Sequence, residues 1–170
     1  MSLYNACVPQ LVKMLGNLDR WLDKAVEHAA LKKFDADTLL VARLAPDQFT
    51  LARQVMAACD AAKYAGARLA GKEAPVHPDT QTTIPELKER IQAVAAFLGA
   101  LTPAEFEGAA ARVVTLSFAP GMVTSGTEYF NEMALPNFYF HATTAYAILR
   151  HNGVDIGKRD FLGSVSLRPA

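Results

Sequence analysis

Leu11-Val-Lys-Met-Leu15-Gly-Asn-Leu18-Asp-Arg-Trp-Leu22-Asp-Lys-Ala25-Val-Glu-His-Ala29 decides the architecture. Leu11, Leu15, Leu18, Leu22, Ala25 and Ala29 recur at alternating steps of four and three, which lines them up along one face of an α-helix. A stripe of two apolar residues per heptad suits helices packed side by side at shallow angles. The same steps link Leu51, Val55, Ala58, Ala62, Ala65 and Leu69, and then Ile84, Leu87, Ile91, Val94, Leu98 and Leu101. A fourth set is Ala134, Phe138, His141, Ala145 and Ile148. Each stripe covers one face only, so each helix needs partners. The spacing therefore predicts an all-α fold, a four-helix bundle.

The segments around these stripes set the helix ends. Thr83-Ile-Pro-Glu86, Thr102-Pro-Ala-Glu105 and Ser125-Gly-Thr-Glu128 fit the capping box, a hydroxyl followed three residues later by a glutamate. Gly71 and Gly153 suit left-handed caps after the second and fourth helices. Pro9 and Pro46 suit helix starts, with the second helix running from Gln48 to Leu69. Pro136 lies inside the fourth pattern, where a missing backbone donor predicts a kink. The connection from Lys72 to Thr82 is long enough to return along the bundle, so the third helix starts at the end where the second started. Ala111–Phe118 reads as a strand, Pro120-Gly121 as a turn, and Met122-Val-Thr124 as a strand pairing back, a short β-hairpin between helices three and four. The tail from Val154 to Ala170 is expected to drape over the bundle, and residues 1–170 to form one domain.

Bulk composition excludes several classes. Half of the 170 residues are hydrophobic (51%) and 20% are charged, which is globular composition. Seventeen basic and seventeen acidic residues cancel, so no net field attracts nucleic acid or an acidic membrane. No apolar run approaches the roughly 20 residues of a membrane span. Met1-Ser2-Leu3-Tyr4-Asn5 lacks the features of a signal peptide. Cys7 and Cys59 show no motif spacing and read as free thiols, so the expected compartment is the cytoplasm.

The four histidines are the first candidates for chemistry. His28 lies on a helix flank, His77 in a linker and His151 at a helix C-terminus, where a cation suits the helix dipole. Only His141 lies in a core stripe, and a lone core histidine is more often a hydrogen-bonded structural group than a ligand. There is no Gly-x-Ser-x-Gly, no Cys-x-x-Cys and no phosphate-cradling glycine loop. The most unusual stretch runs from Tyr129 to Tyr146 and includes Leu135-Pro-Asn-Phe-Tyr-Phe-His141. One reading is core or interface packing. The other is an apolar pocket in the bundle interior near Pro136, with Asn137, Tyr139, His141 and Tyr146 as its ligand-binding polar groups.

Pro136-Asn-Phe-Tyr-Phe-His141, Thr143-Thr-Ala-Tyr-Ala-Ile-Leu-Arg-His-Asn-Gly153 and Asp155-Ile-Gly-Lys158-x-Asp160 together resemble a bacterial family of unknown function. So do Tyr4-Asn-Ala-Cys-Val-Pro9 and Ala58-Cys-Asp-Ala-Ala-Lys63. That family is grouped with the DinB/YfiT-like superfamily of metal-dependent enzymes. The resemblance implies an up-down-down-up four-helix bundle, often dimeric. It also implies a divalent metal held by one histidine of helix two and a His-x-x-x-His of helix four. Some members act on thiol conjugates. Carried over, His141 is the only matching ligand, Ala145 stands at the second position, and Gln48–Leu69 contains no histidine.

The expectation is thus a small-ligand-binding or non-catalytic bundle with a degenerate metal site and no cofactor. The alternative is a divergent enzyme, transferase- or isomerase-like, using His141 with Asn137, Tyr146 or Asp60 around zinc or nickel. Phe49 and Met56, set opposite the second core stripe, lead us to expect a homodimer.

Overall fold

A computed structural model describes residues 2–168. The chain runs through α1 (Leu3–Lys32), a 3-10 turn (Ala36–Val41), α2 (Leu51–Ala70), α3 (Ile84–Gly99), a second 3-10 turn (Pro103–Phe106) and strands β1 (Val113–Thr115) and β2 (Val123–Ser125). It continues through α4 (Gly126–Glu128), a π-helical segment (Tyr129–Ala134), α5 (Leu135–His151) and α6 (Lys158–Leu162). α1, α2, α3 and α5 form the bundle.

Cross-helix pairs fix its direction. Asp60 meets Arg90 and Gly66 meets Leu98, so numbers rise together and α2 and α3 are parallel. Gln54 meets His141 and Arg68 meets Tyr129, so α2 and α5 are antiparallel. Asp23 and Asp19 meet Lys88, and Asp19 also meets Gln92, so α1 runs against α3. Gln10 meets Tyr139 and Trp21 meets Tyr146, which makes α1 and α5 parallel. The order is up-down-down-up, and residues 72–82 provide the long return.

All the stripe residues are buried except His141, which is half-buried. Gly66 shows how closely the helices approach, because a Cβ there would collide with Leu98. The hairpin pairs Val113 with Ser125, Val114 with Thr124 and Thr115 with Val123, shorter than the pattern suggested. Thr83 and Ser125 cap their helices with Glu86 and Glu128 as expected, but Thr102 and Glu105 cap only a 3-10 turn. Gly71 and Gly153 adopt positive φ, as left-handed caps require.

Several expectations need correction. α1 begins at Leu3 with Ser2 as its cap, so Pro9 lies inside the helix, and Cys7, Val8 and Met14 extend the buried face. Pro46 sits in the turn before α2. The cap is Thr50, whose hydroxyl accepts from the Arg53 N–H, and no glutamate three residues on marks it. Met56 is buried in the core rather than on an outer apolar face, while Phe49 is 48% exposed. At Pro136 the chain widens into a π-segment just before the proline: the Leu135 N–H reaches back five residues to the Phe130 carbonyl. The tail packs on the bundle from Val154 through α6, a helix not foreseen, while Ser164 to Arg168 are exposed and residues 169–170 lie outside the described residues. At α6 the Trp21 indole N–H donates to the Asp160 carbonyl at 3.1 Å, and Phe161 stacks on the Trp21 ring. Among the described residues, no helix is long and apolar enough to cross a membrane.

Candidate functional site

α2 carries a second stripe beside its core stripe. Arg53, Ala57, Asp60, Ala61, Tyr64 and Arg68 face the row Tyr129, Met133, Asn137 and His141 of the π-segment and α5. Between them lies a groove of about 190 Å³, open to the surface and completed at one end by Asp79. Ala57, Ala61 and Ala134 leave its floor low, because methyl side chains fill little space between two helices.

His141 stands at the end of the groove near the α2 N-terminus. Its Nδ1 lies 2.7 Å from Oε1 of buried Gln54. An amide oxygen can only accept, so Nδ1 carries the proton and Nε2 keeps its lone pair. The ring stacks at 10° on Phe49 and meets Phe140 edge-on. Burial, then the nearby Arg53 charge, lowers its pKa, so the imidazole is neutral at neutral pH.

Of the residues singled out from sequence, the structure brings His141, Asn137 and Asp60 together in the groove. Tyr139 points to α1, where its hydroxyl accepts from the Gln10 side chain. Tyr146 packs between Trp21 and Phe161 and donates to the Ile156 carbonyl at 3.3 Å. Neither tyrosine lines this groove. At about 100° per residue, positions two and five along from a helical residue fall on other faces. The candidate groove lies at the surface between α2 and α5, whereas the sequence reading places a pocket in the bundle interior.

The back wall holds what sequence reasoning missed. Lys63 and Arg90, only 1% and 3% exposed, are charged groups inside the packed protein. The Lys63 ammonium lies 2.8 Å from Asp60 and 3.4 Å from His77 Nδ1. Arg90 bonds Asp60 at 2.7 Å, Asp79 at 3.0 Å and the Pro78 carbonyl at 2.9 Å. Arg53 also pairs with Asp79. Such buried ions are tolerable only when paired and hydrogen-bonded. Asp60 lies outside the core stripe of α2, with Arg90 of α3 bonded to it and its side chain 29% exposed. Burial, then Lys63 and Arg90, lowers the His77 pKa. A lysine in Ala58-Cys-Asp-Ala-Ala-Lys63, with Asp60 three residues earlier on the same face, was the available signal.

Arg68 differs from these cations. Its Nη1 donates to the Tyr129 hydroxyl at 3.0 Å, and its guanidinium lies over the rings of Tyr64 and Tyr129 at 4.9 and 5.4 Å. Among the described residues it has no carboxylate within ion-pair distance. Groove and back wall therefore hold four cations, Arg53, Lys63, Arg68 and Arg90, against two carboxylates, Asp60 and Asp79.

A three-histidine metal centre does not fit these residues. The α2 side chain facing His141 is the amide of Gln54, Ala145 is buried four residues on, and no cluster of three or more His, Cys, Asp or Glu side chains suited to a metal occurs among the described residues. Cys7 and Cys59 are free, and burial pushes both thiols up to about 12, which leaves them un-ionised at neutral pH.

A family model described as "Domain of unknown function (DUF1993)" matches residues 3–162. The chain is also similar to a DinB family member protein from Shewanella denitrificans, known from its crystal structure: 48% identity and a TM-score of 0.95, covering 99% of this chain and 96% of that one. No curated protein matches the sequence.

Proposed function

The chain belongs to the DUF1993 family, and from that premise we propose that it is a small-molecule-binding DinB-like bundle that works without the metal of its wider superfamily. The observation that carries this is the pairing of His141 with Gln54 at the head of a groove that Asn137 also lines. A ring fixed in one tautomer by a buried amide, neutral and stacked on Phe49, offers one directed acceptor to a ligand. Six of the twelve lining residues are polar or charged, and the alanines, Met133 and the two tyrosines form the apolar half, so the groove suits a small ligand with a polar or charged end more than a large apolar one.

Metal content and amide shifts test the reading together. Protein made without a histidine tag, incubated with excess zinc or nickel and desalted, should retain far less than one metal per chain, unchanged by His141→Ala. In fragment screening by NMR, the side-chain amide of Asn137 should shift with neutral or charged fragments, and Asn137→Leu should abolish that binding. One equivalent of metal that disappears with His141→Ala would overturn the proposal in favour of a metal-dependent enzyme.

A further inference from the structure

We infer that the groove takes an organic anion, with Arg68 as the anchor for its carboxylate or phosphate head and the alanine floor as the bed for its stem. This rests on the binding reading above and names the ligand class.

The first argument is charge. Three of the four cations here are paired by Asp60 and Asp79, and both carboxylates are already engaged by two cations each. Of the two positive charges in excess, one is shared among the three paired cations and the other sits on Arg68, which has no carboxylate within ion-pair distance among the described residues. A guanidinium has five donors in a flat fork that matches a carboxylate or phosphate edge. Among the described residues the Arg68 side chain donates one hydrogen bond, to the Tyr129 hydroxyl.

The second argument is positioning. Tyr64 and Tyr129 hold the guanidinium from their ring faces, so it is set in place before a ligand arrives. Tyr129 is itself buried and fixed by the π-segment.

The third argument removes the ordinary explanation. An arginine in the last turn of a helix usually serves the terminal carbonyls. In α2 that work is done by others. The N–H groups of Gly71 and Lys72 close onto the Ala67 carbonyl, and Arg112, just before β1, reaches across to the Leu69 carbonyl. Arg68 is left facing the groove.

Asn137 follows Tyr129 by eight residues, about 12 Å along the helical run. An acid with a stem of several carbons would lie over Ala61 and Ala134 and bring its far end to Asn137.

Calorimetric titration at constant ionic strength tests this with four probes: sodium hexanoate, hexyl phosphate, inorganic phosphate and neutral hexanamide. Hexanoate or hexyl phosphate should bind saturably and at least tenfold more tightly than hexanamide. The tighter of the two identifies the head group, and displacement by inorganic phosphate alone would assign the anchor to phosphate. Arg68→Gln should weaken the anionic probes at least tenfold, and Arg68→Lys, which keeps the charge and loses the fork, should weaken them several-fold. If Arg68→Gln does not fold, the Lys variant alone decides. The inference is overturned if no anionic probe binds better than hexanamide, or if Arg68→Lys and Arg68→Gln bind as the unaltered protein does. Hexanamide binding that survives Arg68→Gln but is lost in Asn137→Leu would leave the groove standing and remove the anion.

Discussion

Two seams of the bundle treat their charges differently. Where α1 meets α3, one cation has two carboxylates: Lys88 lies 2.8 Å from Asp19 and 2.7 Å from Asp23. Where α2 meets the π-segment and α5, Arg68 has none within ion-pair distance among the described residues, and a groove runs beside it. The first seam satisfies itself within the chain. The second leaves donors that only something from outside can satisfy. Lys88 keeps contact with water at 21% side-chain exposure and shares its charge between two carboxylates, so each pair contributes modestly; the difference between the seams lies in what each leaves available.

The largest effect should come from the apolar side of the second seam. Phe138 is fully buried in α5, and Phe138→Ala should cost about 3–5 kcal/mol in denaturant unfolding. A loss below about 1 kcal/mol would mean that α5 is loosely held and that the groove is merely a gap.

A smaller effect compares carboxylates across the seams. Asp60→Asn leaves buried Lys63 and Arg90 short of a counter-ion. Removing one member of a buried pair costs about 3–5 kcal/mol. With the Asp60 side chain 29% exposed, about 2–3 kcal/mol is expected after screening. Asp19→Asn on the other seam should cost no more than about 1 kcal/mol, because Lys88 is 21% exposed and keeps Asp23 as a counter-ion. Equal losses would abolish the distinction between the two seams.

The smallest effect is a pH dependence confined to the second seam. His77 and His141 have folded-state pKa values below the ordinary 6.5, so the unfolded chain binds their protons first. Their contribution is complete above pH 6.5 and is lost as pH falls from there through the lowered folded values. His77→Gln and His141→Gln should each flatten that part of the stability curve. A separate acid limb below 4.5 should remain, because backbone N–H groups of the helix caps lower the pKa values of Glu86 and Glu128, and Lys72 and Thr102 that of Glu105. A stability curve that is flat from pH 7 to 5 in the unaltered protein would show that neither histidine is shifted.

The bundle was legible because apolar spacing reports directly on the buried face. Leu11 through Ala29 and Leu51 through Leu69 stand where their steps put them. Helix ends were less legible, since Thr50 caps α2 with no glutamate partner and Pro9 is tolerated inside α1. The candidate site is legible in part: Asn137 and His141, four apart on one helix, lie together, and Asp60 of α2, named with them in the alternative reading, lines the same groove. Tyr139 and Tyr146 are close to Asn137 and His141 in sequence, and closeness in sequence does not place residues on one face. Arg68, Lys63 and Arg90 were passed over because a charged residue on a helix usually points to water. What makes these three unusual is the linker, the opposite helix and Tyr129, all distant in sequence.

The π-helical segment can also be read as a shift of angular phase. In an unbroken α-helix, steps of four residues drift by about 40°, so Tyr129, Met133, Asn137 and His141 would spiral through about 120°. One wider turn takes up part of that drift and keeps all four on the wall of a single groove. The segment then behaves as an inserted residue. Deleting one position between Tyr129 and Ala134 would restore the ordinary ladder and swing everything upstream by about 100° relative to Asn137. Tyr129 would leave Arg68. Gly126, whose Cα has no room for a Cβ against the Ala109 carbonyl, would be turned out of the one place it fits. The ring that positions Arg68 and the two residues at the other end of the groove are thus held in common alignment by the count of residues in a single turn.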